Sequence, residues 1–279
     1  MDDKFLSRLK INTALAREIL VNFIREEVYS NGFERAVIGL SGGIDSALSA
    51  FLAAEALGPE NVLALRMPYA SSSEGSLTDA DKVIQQLGLK HDTVEITPMV
   101  QPLIDRYREM SRLRQGNIMA RQRMIILYDQ SAAFGGLVVG TSNKTEYLLG
   151  YSTLYGDSAV AFQPIADLYK NQVRQLSAAV GVPESILSKA PSADLWEGQT
   201  DEGELGYTYD DADQLLYLLV DERYTTREAI DAGFDEAFVR DVWKRVRRNH
   251  YKRTMPNVAK ISRRTIGHDF LYLRDWTQE

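Results

Sequence analysis

Val37-Ile38-Gly39-Leu40-Ser41-Gly42-Gly43-Ile44-Asp45-Ser46-Ala47-Leu48 joins a short apolar run, a glycine turn and an alanine-rich run without a spacer. That order reads as a strand, a phosphate-sized loop and a helix start. Gly42 and Gly43 tolerate positive φ and let backbone N–H groups approach an anion, and the helix opening after Ile44 aims its positive dipole end at the same point. Ser41 and Ser46 add hydroxyl donors, while Asp45 is placed to cap the helix or hold a cation. The loop lacks the lysine of G-x-x-x-x-G-K-[ST], and G-x-G-x-x-G is absent from the chain. It is neither a Walker loop nor a dinucleotide fingerprint.

The 279 residues around this loop are 44% hydrophobic, enough for one large domain spanning 1–279. Its parts read as an α/β core over about residues 15–190, a lid loop over about 190–206 and a helical extension over about 207–279. A formal charge of −7 argues against a general nucleic-acid partner, which would need a basic face. The stretch from Asp241 to Arg264 is locally basic, leaving a polyanion site and a solvated helix face as equal readings. The chain has no cysteine, which excludes disulfides, thiolate zinc sites and a cysteine nucleophile. The N-terminal residues mix charges with isolated apolar side chains, unlike a signal peptide, and no run reaches the ~18 apolar residues of a membrane span. A soluble cytoplasmic protein without a membrane partner is expected. His91, His250 and His268 lack ligand spacing.

Apolar periodicity predicts a helix over residues 12–29, strands at Ala36 to Leu40 and Val62 to Arg66, and helices from Ala47 to Leu57 and Leu77 to Leu87. A third strand is read at Thr93-Val94-Glu95-Ile96, closed by Pro98, and a fourth at Gly135 to Gly140 after a long helical run from Gly116 to Ala133. Alternating strands and helices imply a doubly wound parallel sheet, which holds ligands at the carboxyl ends of its strands. Met67 to Ser73 is therefore a candidate for adenine or ribose contacts. The second strand-to-polar-loop switch, Thr141 to Glu146, should lie beside the first, with Thr141 near a nucleotide and Glu146 able to reach a metal. Asn117 and Arg121 share a helix face. Residues 190–206 are polar and aperiodic but contain Trp196 and Leu205, which favours a lid over a disordered linker. Helices at Tyr209 to Val220, Thr225 to Ile230 and Asp235 to Arg248 form the extension.

The Ser41-to-Ser46 loop resembles the SGGxDS loop of the PP-loop ATP pyrophosphatases, which cut ATP between the α- and β-phosphates and leave AMP on the substrate. Further blocks in order, Asn117 to Arg121, Val138 to Glu146, Tyr155-Gly156-Asp157, Pro164 to Lys170, Ser192 to Leu195, Gly198 to Glu202 and Tyr251-Lys252-Arg253, resemble NAD synthetases over residues of about 15 to 262. The resemblance implies an adenine-nucleotide-hydrolase-like, Rossmann-like fold. It also implies ATP-dependent amidation of deamido-NAD (nicotinic acid adenine dinucleotide) to NAD through an acyl-adenylate. AMP and pyrophosphate leave, ammonia is the nitrogen donor, and the ligase is a Mg²⁺-assisted homodimer.

Carried onto this sequence, the resemblance gives Gly39, Leu40, Ser41, Gly42, Gly43, Ile44, Asp45 and Ser46 to ATP, with Arg66 and Thr141 at its adenylate part. Lys170 and Ser192 match phosphate contacts, and Asp45 with Glu146 matches a Mg²⁺ pair. Asn117, Arg121, Asp157, Tyr251 and Lys252 match deamido-NAD contacts, with Asp157 and Lys170 in catalytic roles. Asp201 and Glu202 match a mobile lid. Leu154, Ala161 and Tyr251 depart from the common free-ammonia pattern, and Thr153 to Asp157 is similar to the synthetase part of the glutamine-dependent branch. Glutaminase domains of that branch use a cysteine, so glutamine could serve only through a separate glutaminase subunit. The competing readings are another PP-loop ATPase, such as a tRNA-modifying one, and a nucleotide-binding regulator without turnover.

Overall fold

The computed structural model describes residues 5–192, 194–196 and 198–267; His268, Ala193, Glu197 and the end of the extension lie outside the described residues. Four parallel strands, β1 (Arg35–Gly39), β2 (Val62–Arg66), β3 (Lys90–Thr93) and β4 (Gly136–Val139), lie in the order β3-β2-β1-β4. One face carries α1 (Thr13–Ser30), α2 (Ile44–Leu57) and α3 (Glu74–Leu87), and the other carries α4 (Thr97–Arg106) and α5 (Arg112–Phe134). Ala36 and Ile38 pack on the first face and Val37 on the second, all three fully buried. A strand covered on both sides needs apolar residues at every position, which is why β1 reads as a continuous run instead of an alternation.

Two sequence expectations shift. The third strand lies at Lys90–Thr93, wholly exposed at the sheet edge, and not at 93–96. Past β3, Val94 and Ile96 still donate their N–H groups to the Arg66 and Pro68 carbonyls, and Ile96 packs under α4. Pro98 opens that helix instead of closing a strand, because a proline in the first turn loses no helical hydrogen bond. A second proline, Pro102, lies inside α4 and obscured it from propensity.

Beyond β4 come α6 (Lys144–Leu149), α7 (Lys170–Val180), α8 (Glu184–Leu187), α9 (Asp201–Leu205) and α10 (Tyr209–Leu216). A π turn (Tyr217–Asp221), α11 (Thr226–Asp231) and α12 (Glu236–Arg248) follow, and a short 3-10 turn (His250–Arg253) comes after them. The extension has its own core around Tyr209, Leu215, Leu216, Val239 and Val242, and this core also takes in Phe5 and Leu9. The first residues thus belong with the last, a pairing that local pattern does not reveal. In the basic stretch, Lys252 Nζ donates to the carbonyls of Gly150 and Ser152 at 2.7 and 2.6 Å, and Arg253 donates to those of Tyr147 and Leu148. These two cations satisfy carbonyls at and just past the end of α6.

Asp213, fully buried in α10, gives a pH dependence to the extension. Burial pushes its carboxyl up to about 6, against the opposing hydrogen bonds from Thr145 and Asn171. The native state therefore holds a proton that the unfolded chain releases near pH 4, so this group's stabilising contribution is full below that pH and falls as pH rises to about 6. A shift of about two units corresponds to roughly 3 kcal/mol. Denaturant melts between pH 4 and 7 should show this decline in the wild type and a flatter profile in Asp213→Asn; parallel profiles would remove the assignment.

Candidate active site

A cavity of about 830 Å³ opens at the carboxyl ends of β1, β2 and β4, where crossovers diverge to either side of β1. The glycine loop forms its floor. Gly42 has φ +77°, and a Cβ there would lie 2.1 Å from the Ser76 carbonyl oxygen, so only glycine fits. Ser46 Oγ donates to the Gly43 carbonyl at 3.0 Å and lies 3.1 Å from Ser41 Oγ, which accepts from Gly43 N at 3.2 Å. The loop thus holds its own shape. Gly43, the N-cap of α2, has no side chain to occupy the first N–H groups, which leaves them for an anion.

Beside the loop three elements bring opposite charges together. Lys170, the first residue of α7 and almost fully buried, donates through Nζ to Asp45 at 2.5 Å and to Glu146 at 3.2 Å. Its ammonium also lies 4.9 Å from the centre of the Tyr209 ring. Asn143 Nδ2 donates to the other Asp45 oxygen at 2.8 Å, and Asn143 and Glu146 close a reciprocal capping box on α6. Burial, reinforced by the Asp45 charge, holds the Glu146 carboxyl above the usual range, with Lys170 opposing. Burial works against the Lys170 charge, but Asp45 and Glu146 outweigh it and raise its pKa. One ammonium thus serves two carboxylates. Asp201 stands next to this group, accepting from the Tyr151 and Tyr209 hydroxyls at 3.1 and 3.0 Å.

The opposite wall comes from α5 and the 151–157 loop. Thr153 Oγ1 donates to Asn117 Oδ1 at 2.7 Å, and Arg121 donates to the Leu154 carbonyl at 3.1 Å. Asp157 accepts from Thr153 N at 2.6 Å; water reaches its carboxyl, but the cavity wall screens it from bulk solvent, and this desolvation raises its pKa. Lys252 and Tyr251 close the far end.

Every site residue read from the sequence lines this cavity except two, Gly42 and Arg66. Gly42 turns its α-carbon against Ser76. Arg66, expected at the adenylate part, pairs with Asp81 on α3 and is not part of the cavity lining. The cause is strand alternation, since Leu65 and Met67 point to the cavity side and Arg66 to the other. Arg123, two residues from Arg121, lines the cavity and anchors to the Met67 carbonyl at 3.0 Å.

The NAD synthase family model matches residues 16–256. The chain belongs to the NAD synthase family. It is 55% identical over 97% of its length to the NH(3)-dependent NAD(+) synthetase of Trichlorobacter lovleyi, covering 99% of that protein. The enzyme of the same name from Fusobacterium nucleatum is 49% identical, covering 92% of this chain and all of its own length. Among solved structures, the NH3-dependent NAD synthetase of Campylobacter jejuni superposes with a TM-score of 0.77 at 34% identity, over 90% of this chain and 100% of that one. An NMN synthetase from Francisella tularensis gives 0.80 at 32%, with the same coverage.

This member of the NAD synthase family shows contacts that the sequence did not announce. Asn143, Tyr151 and Tyr209 hold Asp45 and Asp201 in place. The segment read as a lid is divided. Asp201 and Leu205 are buried and Glu202 accepts from Tyr209 N, so its last part is anchored. Its first part crosses the cavity, with Asp194 accepting from Ser73 N at 3.1 Å and Leu195 lying against Gly116 of α5. No helix among the described residues is long and apolar enough to cross a membrane.

Proposed function

We infer that this chain catalyses ATP-dependent amidation of deamido-NAD to NAD, with ammonia as nitrogen donor and AMP and pyrophosphate as products. The observation that carries it is the junction of an uncapped glycine loop with the Asp45–Lys170–Glu146 group in one cavity of about 830 Å³. An attacking carboxylate and an α-phosphate repel each other, so activation is mainly charge neutralisation and alignment. The loop N–H groups and the Lys170 ammonium perform this on the phosphates. Asn117 and Arg121 align the dinucleotide, and Asp157 places or deprotonates the incoming ammonia.

The donor set fits Mg²⁺. Asp45 and Glu146, two hard oxygen donors, stand side by side on the Lys170 ammonium, and the phosphates and water would complete the shell. Asp45 and Glu146 would hold the ion, which when bound neutralises phosphate charge. The reaction is assigned to the cytoplasm from its soluble nucleotide substrates.

The decisive assay follows AMP and product with ATP and ammonium plus deamido-NAD, its mononucleotide analogue or tRNA. Product from deamido-NAD alone supports the reading. A preference for the mononucleotide would favour NMN synthesis, the activity named for the Francisella tularensis protein. Turnover only with tRNA, or none at all, would overturn it.

Two assemblies are part of this proposal. The outer faces of α4 and α5 expose Met99, Leu103, Tyr107, Leu113, Ile125 and Tyr128, an apolar surface that we assign to a homodimer contact. Sedimentation should give a dimer for the wild type and a monomer for Leu113→Asp with Ile125→Asp; a wild-type monomer would remove the contact. The crossing segment is assigned to a lid over residues 192–200, with Asp201 as its fixed end. Limited proteolysis should cut within 192–200 in the free protein and slow about tenfold with both nucleotides bound. Equal cleavage in both states would leave no lid.

A further inference from the structure

Asp213 in α10 and Asp221 at the end of the π turn belong to one continuous helical run, and neither lines the cavity. Each grips one residue from the start of α6 and one from the start of α7. Asp213 accepts from Thr145 Oγ1 at 2.5 Å with one oxygen and from Asn171 N at 2.7 Å with the other. Asp221 accepts from Lys144 Nζ at 2.8 Å with one oxygen and from the Tyr169 hydroxyl with the other. The gripped residues are immediate neighbours of Glu146 and Lys170 in the chain, or one position further. Thr145 Oγ1 in addition accepts from Lys170 N at 3.0 Å, so two hydrogen bonds join Asp213 to the Lys170 backbone.

Residues eight apart stand about 80° around an ordinary α-helix. The wider π turn at Tyr217–Asp221 reduces the rotation per residue and brings Asp221 back toward the face of Asp213. This explains why a π turn interrupts the run at this place. α6 and α7 both follow β4 and are separated by some twenty residues without a helix, and α6 has only six residues, so neither alone fixes the distance between Glu146 and Lys170.

We propose that Asp213 and Asp221 act as a two-point clamp by which the helical extension holds Glu146 and Lys170 in register, as positioning residues for ATP activation. This rests on the assignment of Glu146 and Lys170 to the reacting centre. A carboxylate is required at position 213 because both of its oxygens face donors. An asparagine there keeps the shape but must point its amide N–H at one of them, and the orientation that spares Asn171 N displaces the Thr145 hydroxyl proton.

The test compares steady-state kinetics and melting temperature for wild type, Asp213→Asn, Asp221→Asn, Thr145→Val, Glu146→Gln and Asp235→Ala. Asp235 caps α12, accepting from Phe238 N at 2.9 Å, and its loss loosens the same helical core without touching the clamp. Expected is a fall in kcat of at least about tenfold for Asp213→Asn and Asp221→Asn, with KM for deamido-NAD within about twofold. Asp235→Ala should keep kcat within about twofold despite a lower melting temperature. Adding Asp213→Asn to Thr145→Val should cost less than about twofold more, because the link is already cut. Wild-type kcat in Asp213→Asn and Thr145→Val, or an equal loss in Asp235→Ala, would overturn the clamp. If Asp213→Asn does not fold, Thr145→Val and Tyr169→Phe carry the same expectation from the other side of each bond. Wild-type kcat in Glu146→Gln would instead overturn the site assignment, so the two failures are distinct.

Discussion

Lys170→Met should lower NAD formation about 10³-fold, the loss typical of removing one charge-stabilising donor from a water-poor site. The same change should destabilise the free protein by about 3–5 kcal/mol at pH 8, because Asp45 and Glu146 would lose the ammonium that lies within 2.5 and 3.2 Å of them. The two effects can be separated. Adding Asp45→Asn to Lys170→Met removes one stranded carboxylate and should recover much of the melting temperature without recovering turnover. Lys170→Arg should remain impaired, since a planar guanidinium cannot replace a compact ammonium in so closed a space. A Lys170→Met enzyme within tenfold of wild type would show that this lysine neutralises the resting site and takes no part in catalysis.

The purified chain should make NAD with ammonium and make none with glutamine as donor. It contains no cysteine, and glutamine cleavage by a thiolate is therefore closed to it. The nucleophile must be neutral ammonia, so at fixed total ammonium the rate should rise about tenfold per pH unit below the ammonium pKa, until another group titrates or the fold fails. Asp157 lies on the wall where ammonia would meet the activated carboxyl, and Asp157→Asn should raise the ammonium requirement far more than that for ATP. Glutamine-supported synthesis by the isolated chain would contradict this. Glutamine use that appears only when a separate glutaminase subunit is added would identify the physiological donor.

The sequence by itself determined the β1 strand, the glycine loop and α2, because there the local signals agree: an apolar run, residues tolerant of positive φ and a helix start within twelve positions. It also determined β2 to the residue. Nothing local announced that Arg66 pairs with Asp81. Its direction depends on which face of β2 each residue takes, and that follows from packing Leu65 and Met67 against α5. The edge strand β3 and the proline-bearing α4 were displaced for a similar reason, since Ile96 is buried against neighbours far along the chain. Only the tertiary structure decided that Lys170 bridges Asp45 and Glu146, which are separated from it by 125 and 24 positions. The same holds for the partners of Asp213 and Asp221 on α6 and α7. Periodicity reports which face of an element avoids water, whereas a buried charge finds its partner only when helices distant in the chain meet, and that meeting is set by the packing of the whole chain.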